Sequence, residues 1–287
     1  MHGRVATTSG RVCYANSWPH GCGAGLFSNF VLYSKTVNII LFDESEITSP
    51  LDAHDERAQH LVKILHKHEG DFFDAGIVNS SAGKARITRI ADGKISFDFC
   101  ADSDADTATS KPLYPLVMLI GFVRPIQLKR IFRDMTGLGV MQIHLFASDL
   151  GEKSYSDSGL LKNGAAERIL RDGAMQAHST HLPELFAHNS LDAALRALGE
   201  AHKIPRLFAL DNIESTQSLT TALHDFSLIG EEIAVAAIGS ERGWSNRERT
   251  VLRTGGAVLC SMGIRTLRTE SAATVSASLI LSALGVL

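Results

Sequence analysis

Two stretches near the C-terminus carry residue types whose spacing could do chemistry. Residues 238–248 read Ile-Gly-Ser-Glu-Arg-Gly-Trp-Ser-Asn-Arg-Glu, and residues 262–272 read Met-Gly-Ile-Arg-Thr-Leu-Arg-Thr-Glu-Ser-Ala. Each follows an apolar run and opens a helix-like segment, which is how a chain builds a pocket for a small polar cofactor at the ends of parallel strands. Gly239 and Gly243 let the backbone turn tightly and approach a ligand. The N–H groups that open the following helices can receive a carboxylate or a ribose hydroxyl. One glycine loop is common to any α/β fold. Two, the second with Arg265, Arg268 and Glu270 in an Arg-x-x-Arg-x-Glu cluster, could hold charged groups and bias proton transfer. On these residues alone a salt-bridged helix start accounts for the cluster equally well.

The elements that must position these loops alternate. A continuous apolar run at 116–121 and mostly apolar stretches at 140–146, 206–210, 233–239 and 257–261 read as strands. Helical spacing marks 126–136, 161–177, 216–224 and a final apolar helix through Leu284. Ser245 and Glu248 form an S-x-x-E capping box, and Thr269 is expected to cap the last helix, with Glu270 in its first turn. Such alternation predicts an α/β fold with a mostly parallel sheet covered on both faces. The N-terminal part has another rhythm. Residues 38–42 read as a strand, Asp52 as a helix cap with Asp55 and Glu56 in the first turn, and Leu61, Ile64, Leu65 and His68 as one helix face ending at Gly70-Asp71. Strand candidates at 72–78, 84–90 and 94–99, separated by glycine turns, suggest a small antiparallel barrel or sandwich. Polar residues 101–111 read as a linker.

The bulk numbers are those of a soluble globular protein with room for one large or two ordinary domains: 287 residues, 45% hydrophobic, 21% charged. A net charge of −3 gives no global pull toward nucleic acid or membrane, so any RNA contacts must come from local cations. No apolar run approaches the roughly 20 residues that span a bilayer. Cys13, Cys22, Cys100 and Cys260 form no C-x-x-C and read as buried or inert thiols in a reducing compartment. The acid-poor, Ser-rich start has the composition of a transit peptide, but it lacks an arginine-rich amphipathic helix and an apolar export core. A disordered leader is the expectation.

The two glycine stretches resemble the SPOUT-superfamily RNA methyltransferases, most closely the RsmE type that methylates N3 of a uridine in small-subunit (16S) ribosomal RNA. That family carries Ile-Gly-Pro-Glu-Gly-Gly-Trp/Phe-Ser-x-x-Glu where this chain has Ile238 to Glu248. It carries Leu-Gly-x-Arg-Ile-Leu-Arg-Thr-Glu-Thr-Ala where this chain has Met262 to Ala272. Leu138-Gly139-Val140 preceded by Lys129, Gln176 followed by Leu182-Pro183-Glu184, and His60 to Leu65 with Gly70-Asp71 extend the similarity, in order, over about 38–287.

The resemblance implies a leader at 1–37, a PUA-like RNA-binding β-barrel at 38–105, a linker at 106–111 and a SPOUT methyltransferase domain at 112–287 with a C-terminal trefoil knot. It implies S-adenosylmethionine as cofactor, bent in the knot, held by Leu210, Ile238, Gly239, Glu241 and Gly243 and by Met262, Gly263, Leu267, Arg268 and Thr269. It implies a cytoplasmic homodimer with an active site completed across the interface. Arg268 is the first catalytic candidate, stabilising charge on the uracil edge or the cofactor carboxylate; Glu270 is the second, orienting Arg268 or accepting a proton. Arg124, Lys129, Arg130 and Arg133 lie before and within one helix and are the candidate RNA-binding cations; a solvated helix face is the structural alternative. Two other functions stay open: a non-catalytic RNA-binding protein on the same fold, and methylation of a different RNA base.

The pattern also departs from the family. Ser240 replaces its proline and Arg242 one of its glycines. Residues 133–139 (Arg-Asp-Met-Thr-Gly-Leu-Gly) lose a lysine and a glutamate from Gln-Lys-x-x-Glu-Leu-Gly. Residues 175–179 (Met-Gln-Ala-His-Ser) lose the glutamate and arginine of Glu-Gln-Ser-x-Arg. No metal is expected: His66 and His68 face different directions, and His178 and His181 have no third ligand. No P-loop or intact G-x-G-x-x-G is present.

Overall fold

The computed structural model describes residues 38–102, 111–156, 158–204, 206–224 and 226–287. The leader 1–37 and most of the linker 106–111 lie outside the described residues.

The N-terminal part folds as β1 (Ile40–Phe42), β2 (Leu51–Asp52), α1 (Glu56–Gln59), a π-turn at His60–Ile64, β3 (Phe72–Ile77), β4 (Ala82–Ala91) and β5 (Lys94–Ala101). The strand order is β1-β3-β4-β5-β2; β1 pairs with β3 in parallel and the other pairs are antiparallel. Phe42, Leu61, Phe73, Ala85 and Ile87 are among its core residues. The helix here is shorter than the spacing predicts. Asp55, not Asp52, is its cap, accepting the Arg57 N–H, and Asp52 ends β2. Arg57 explains the shift: it pairs with both Asp55 and Glu46 and donates to the Leu41 carbonyl, fixing the helix start to β1. Ile64 is exposed rather than core.

The larger part runs β6 (Tyr114–Gly121), α2 (Pro125–Gly137), β7 (Val140–Phe146), α3 (Ala165–Ala177), β8 (Glu184–His188), α4 (Leu191–Ala201), β9 (Arg206–Leu210), β10 (Gln217–Ser218), α5 (Leu219–Ala222), β11 (Ala234–Ile238), α6 (Asn246–Thr254), β12 (Val258–Ser261) and α7 (Thr269–Ala283). All strands of its sheet are parallel, in the order β10-β12-β9-β11-β6-β7-β8. The near-continuous apolar character of these strands follows from burial on both faces. Leu116, Met118, Ile120, Phe208, Leu210, Ala236 and Ile238 face a core shared with α2, α3 and α7. The alternate residues Val117, Leu119, Leu207, Ala209, Val235 and Ala237 face α4 and α6. β8 and α4 are additions to the expected elements, α4 despite its Ser190 cap and the helical spacing of Leu191, Ala194 and Leu198, and the segment at 216–224 splits into β10 and α5. Thr269 is the first helical residue of α7 rather than its cap; the cap position is Arg268, which makes no side-chain cap hydrogen bond.

The small sheet docks through β1. Leu41 and Ile39 join the core beneath α3, the Ile39 N–H donates to the Met175 carbonyl at 3.3 Å, and Thr180 Oγ1 donates to the Ser80 carbonyl at 2.7 Å. Asp43 and Arg171 form an ion pair across the same seam.

Candidate active site

Because every strand of the large sheet points the same way, the loops after β9, β11 and β12 emerge along one edge, where such sheets bind ligands. β11 pairs with β9 on one side and β6 on the other, and β12 returns past it to pair with β9. The Gly239 and Gly263 loops are thereby neighbours although distant along the chain.

The first loop is a tight turn. The Gly243 N–H donates to the Ser240 carbonyl at 2.8 Å, leaving Glu241 and Arg242 at the exposed corner. Gly243 has φ of +75°, which favours glycine. Gly239 is required for a different reason: a Cβ there would fall 2.8 Å from the Gly243 carbonyl carbon. Gly121, at the end of β6, is pressed as closely, since its Cβ would sit 2.7 Å from the Ser240 nitrogen. Trp244 then locks the turn to the sheet, donating Nε1–H to the Leu210 carbonyl at 2.7 Å and stacking on Phe146. The capping box of α6 is fully made: the Glu248 N–H donates to Ser245 Oγ at 3.0 Å, and the Ser245 N–H donates to Glu248 Oε2 at 2.8 Å. Such a cap contributes about 1 kcal/mol. Arg247 forks onto Asp149 and holds its carboxyl below the usual range, with a further contribution from the Ser245 hydroxyl.

Nine of the ten residues expected to hold the cofactor line one cavity of about 610 Å³: Leu210, Ile238, Gly239, Glu241, Gly243, Met262, Leu267, Arg268 and Thr269. The tenth, Gly263, has φ of +100° and shapes the second loop without lining the cavity. Leu210, Ile238, Met262 and Leu267 give apolar walls. Arg268 is exposed at the start of α7, whose uncapped first-turn N–H groups can meet an acceptor. A cavity with apolar walls, a charged rim and an arginine beside uncapped N–H donors suits a ligand that carries both a ring and a carboxylate.

A family profile described as RNA methyltransferase domain matches residues 109–281. The chain is 35% identical over 256 residues to the Ribosomal RNA small subunit methyltransferase E of Treponema pallidum, covering 86% of this chain and 91% of that protein. It is 32% identical over 244 residues to the Ribosomal RNA small subunit methyltransferase E 1 of Borreliella burgdorferi, covering 85% and 97%. The chain belongs to the RNA methyltransferase family. The fold agrees with that of a crystal structure of a Ribosomal RNA small subunit methyltransferase E from Neisseria gonorrhoeae bound to S-adenosyl methionine, with a TM-score of 0.69, 16% identity and coverage of 86% of this chain and 98% of that one.

The second catalytic candidate of this methyltransferase lies elsewhere. Glu270 is 7% exposed, does not line the cavity, and has Arg130 as its ion-pair partner at 3.8 Å; its Oε2 is buried without a hydrogen-bond partner. The four candidate RNA cations are all exposed, and three of them meet acids on different elements: Arg124 with Glu241, Arg130 with Glu270 and Arg133 with Asp172. Arg124 caps the start of α2, lines the cavity, and has its pKa raised by the Tyr155 hydroxyl and then by Glu241 at 3.6 Å. Lys129 and Arg133 share a helix face at i,i+4 spacing; Arg133 lies 3.6 Å from Asp172.

Sequence reasoning missed Gln127 on α2, the residues 211–213 after β9, Arg249 on α6 and Thr266 of the second loop, which also line the cavity. An acid directly after an apolar strand, Leu210-Asp211, was the available signal. Cys260 is buried, which pushes its thiol up to about 11, whereas Cys100 is exposed rather than buried; Cys13 and Cys22 lie outside the described residues. Among the described residues no group of three His, Cys, Asp or Glu could hold a metal, and no helix is long and apolar enough to cross a membrane.

Proposed function

We propose that the chain is an S-adenosylmethionine-dependent methyltransferase acting on N3 of a uridine in small-subunit (16S) ribosomal RNA. The observation that carries the cofactor assignment is the convergence of two remote glycine loops on one cavity with apolar walls and a cationic, N–H-rich end. The names of the 35% and 32% identical relatives carry the substrate class. The reading includes a trefoil-knotted C-terminal segment, a PUA-like small domain at 38–105 that helps seat RNA, a methyltransferase domain at 112–287, action in the cytoplasm and a homodimer. Ile213 and Ile264, 75% and 104% exposed on two of the loops, support a partner surface there.

When bound, the cofactor supplies an electrophilic methyl group on a sulfonium. Leu210, Ile238, Met262 and Leu267 would exclude water around it, and the first-turn N–H groups of α7 with Arg268 would hold its carboxylate. Uridine N3 must lose a proton to attack well, and Arg268, the exposed lining cation at the start of α7, would stabilise charge developing on the uracil edge. Glu270, through its pairing with Arg130, would fix α2 against α7 and so the entry to the site. Arg124, Lys129, Arg130 and Arg133 would meet RNA phosphates.

Calorimetry with S-adenosylmethionine and an assay on methyl-deficient small ribosomal subunits, read by nucleoside mass spectrometry, test the proposal. Micromolar binding and formation of 3-methyluridine are expected. A different methylated nucleoside would overturn the target base, and neither binding nor transfer would leave a non-catalytic RNA-binding protein on this fold.

A further inference from the structure

The loop after β9 contains a buried ion pair that the cofactor assignment does not use. Asp211 is 4% exposed. Arg249, on α6, donates Nε–H to Asp211 Oδ2 at 2.6 Å and Nη2–H to Oδ1 at 3.2 Å. The same carboxylate accepts the Ile213 N–H on Oδ1 at 3.0 Å and the Glu214 N–H on Oδ2 at 3.3 Å. Four protein donors therefore meet a group with about four lone-pair positions. An acid following a strand in a nucleotide-binding sheet ordinarily grips a ribose hydroxyl; this one is already saturated by the protein. Arg249 is committed as well. Its Nη1 donates to Asn246 Oδ1 at 3.4 Å, and Glu214 Oε1 lies 4.0 Å from its Nε, while Glu214 pairs with Arg253 one helical turn further along α6. Asp211, Asn212 and Ile213 form the wall of the cavity next to Leu210, and the buried Arg249 lines it beside them with its guanidinium turned onto Asp211.

We infer that Arg249, acting through Asp211, is a positioning residue for the methyl-donor site, holding the loop 211–214 in the shape that completes the cavity. The inference rests on the proposed cofactor assignment. The planar guanidinium fork matches the carboxylate at two points, a geometry that a lysine ammonium cannot reproduce. Without the fork, the carboxylate swings toward water and releases the two amides that set the turn.

The test uses the full chain with Arg249→Lys, Asp211→Asn and the double variant Arg249→Met/Asp211→Leu, which leaves no buried charge unpaired. In the ligand-free protein, amide hydrogen exchange at Ile213 and Glu214 is expected to quicken in all three while exchange in β11 stays as in wild type. The Kd and KM for S-adenosylmethionine are expected to rise about tenfold, with kcat at saturating cofactor and the KM for RNA unchanged. The double variant should be no worse than either single one, because the two residues act as a unit. Quickened exchange with an unchanged Kd would overturn the inference, as would unchanged exchange. A fall in kcat and Tm with KM for the cofactor unchanged would reduce the pair to fold stability. Weakened binding in Asp211→Asn but not in Arg249→Lys would make Asp211 a direct ligand contact instead. A wild-type chain that binds no S-adenosylmethionine is a distinct result; it would overturn the cofactor assignment itself and the inference with it.

Discussion

Replacing Gly239 by alanine adds one methyl group where the backbone has no room for it. The new Cβ would lie 2.8 Å from the carbonyl carbon of Gly243 and 2.9 Å from its oxygen, so no flexible side-chain end can move aside. The obstructing turn is itself tied down, by the Gly243 N–H on the Ser240 carbonyl at 2.8 Å and by the Trp244 indole on the Leu210 carbonyl at 2.7 Å. Overpacking against such a site costs about 1–3 kcal/mol. If the turn holds, the cost appears in stability, as a Tm lower by roughly 2–4 °C per kcal/mol for a chain of this size. If the turn opens, a hydrogen bond worth about 1 kcal/mol is broken and the cavity wall moves. Either route should weaken S-adenosylmethionine binding by about tenfold or more, equivalent to about 1.4 kcal/mol. Gly256→Ala is the control. Gly256 has φ of +80° beyond the far end of α6, does not line the cavity, and a Cβ there meets nothing within 4 Å. It should show only the strain of a left-handed alanine, about 1–2 kcal/mol, with cofactor affinity intact. Paired thermal melts and calorimetry distinguish the two. A Gly239→Ala protein with wild-type Kd, or with the same profile as Gly256→Ala, would refute the claim that this backbone contact shapes the site.

Arg268→Ala should abolish methyl transfer while Tm changes little, since the side chain is exposed and makes no cap bond; an unaltered single-turnover rate would remove Arg268 from the reaction. Alanine at Lys129, Arg130 and Arg133 together should weaken RNA binding and flatten the plot of log K against log salt by about 2, at about 0.7 for each phosphate no longer neutralised; an unchanged slope would show these charges to be bystanders. His144 is 4% exposed, and burial, with His188 and then His202 nearby, lowers its pKa to about 4. The unfolded chain, with that group near 6.5, then binds more protons between about pH 4 and 6.5. This contribution to stability is full above about pH 6.5 and is lost as the pH falls toward 4, with a slope of at most about 1.4 kcal/mol per pH unit. Denaturant melts of His144→Gln should show a shallower pH dependence in that window, and an identical slope would contradict the buried neutral histidine.

The parallel sheet was legible because its central strands are buried on both faces, so 116–121 and 234–238 stand out as uninterrupted apolar runs. The glycine loops were legible because tight turns and close backbone approach leave few residue choices. β8 was not legible: its pattern is mostly exposed, with Glu184, Phe186 and Ala187 exposed on an edge strand whose existence is decided by pairing with β7. The start of α1 was misplaced because three acids lie close together, and only the tertiary contact of Arg57 with Glu46 and Leu41 selects Asp55 as the cap. Neither the seating of Glu270 beside Arg130 nor the pairing of Asp211 with Arg249 has a local signature. Each joins residues brought together only once the sheet has formed.

That distinction also sorts the departures from the family pattern. Asp134, in place of a lysine, accepts a hydrogen bond from Thr274 Oγ1 at 2.7 Å and so ties α2 to α7. Gly137, in place of a glutamate, is exposed and leaves open space around its Cα. Ser179, in place of an arginine, is buried and accepts the His181 N–H at 3.1 Å, close to the seam with the small sheet. Together with Met175, these positions do not line the cavity of the glycine loops; they lie on helix and docking faces. Ser240 and Arg242 reach that cavity from the tight turn, and so do Met262 and Thr266 of the second loop, where the family pattern carries leucine and isoleucine. Ser240 turns inward and is buried, whereas Arg242 projects from the corner and adds a cation to a lining that already holds Arg124 and Arg268. The changes thus fall on helix faces, on one rim charge and at two lining positions, while Arg268, Thr269 and Glu270 at the start of α7 match the family pattern. An added arginine at the rim strengthens the pull on an anionic substrate without adding to the apolar walls.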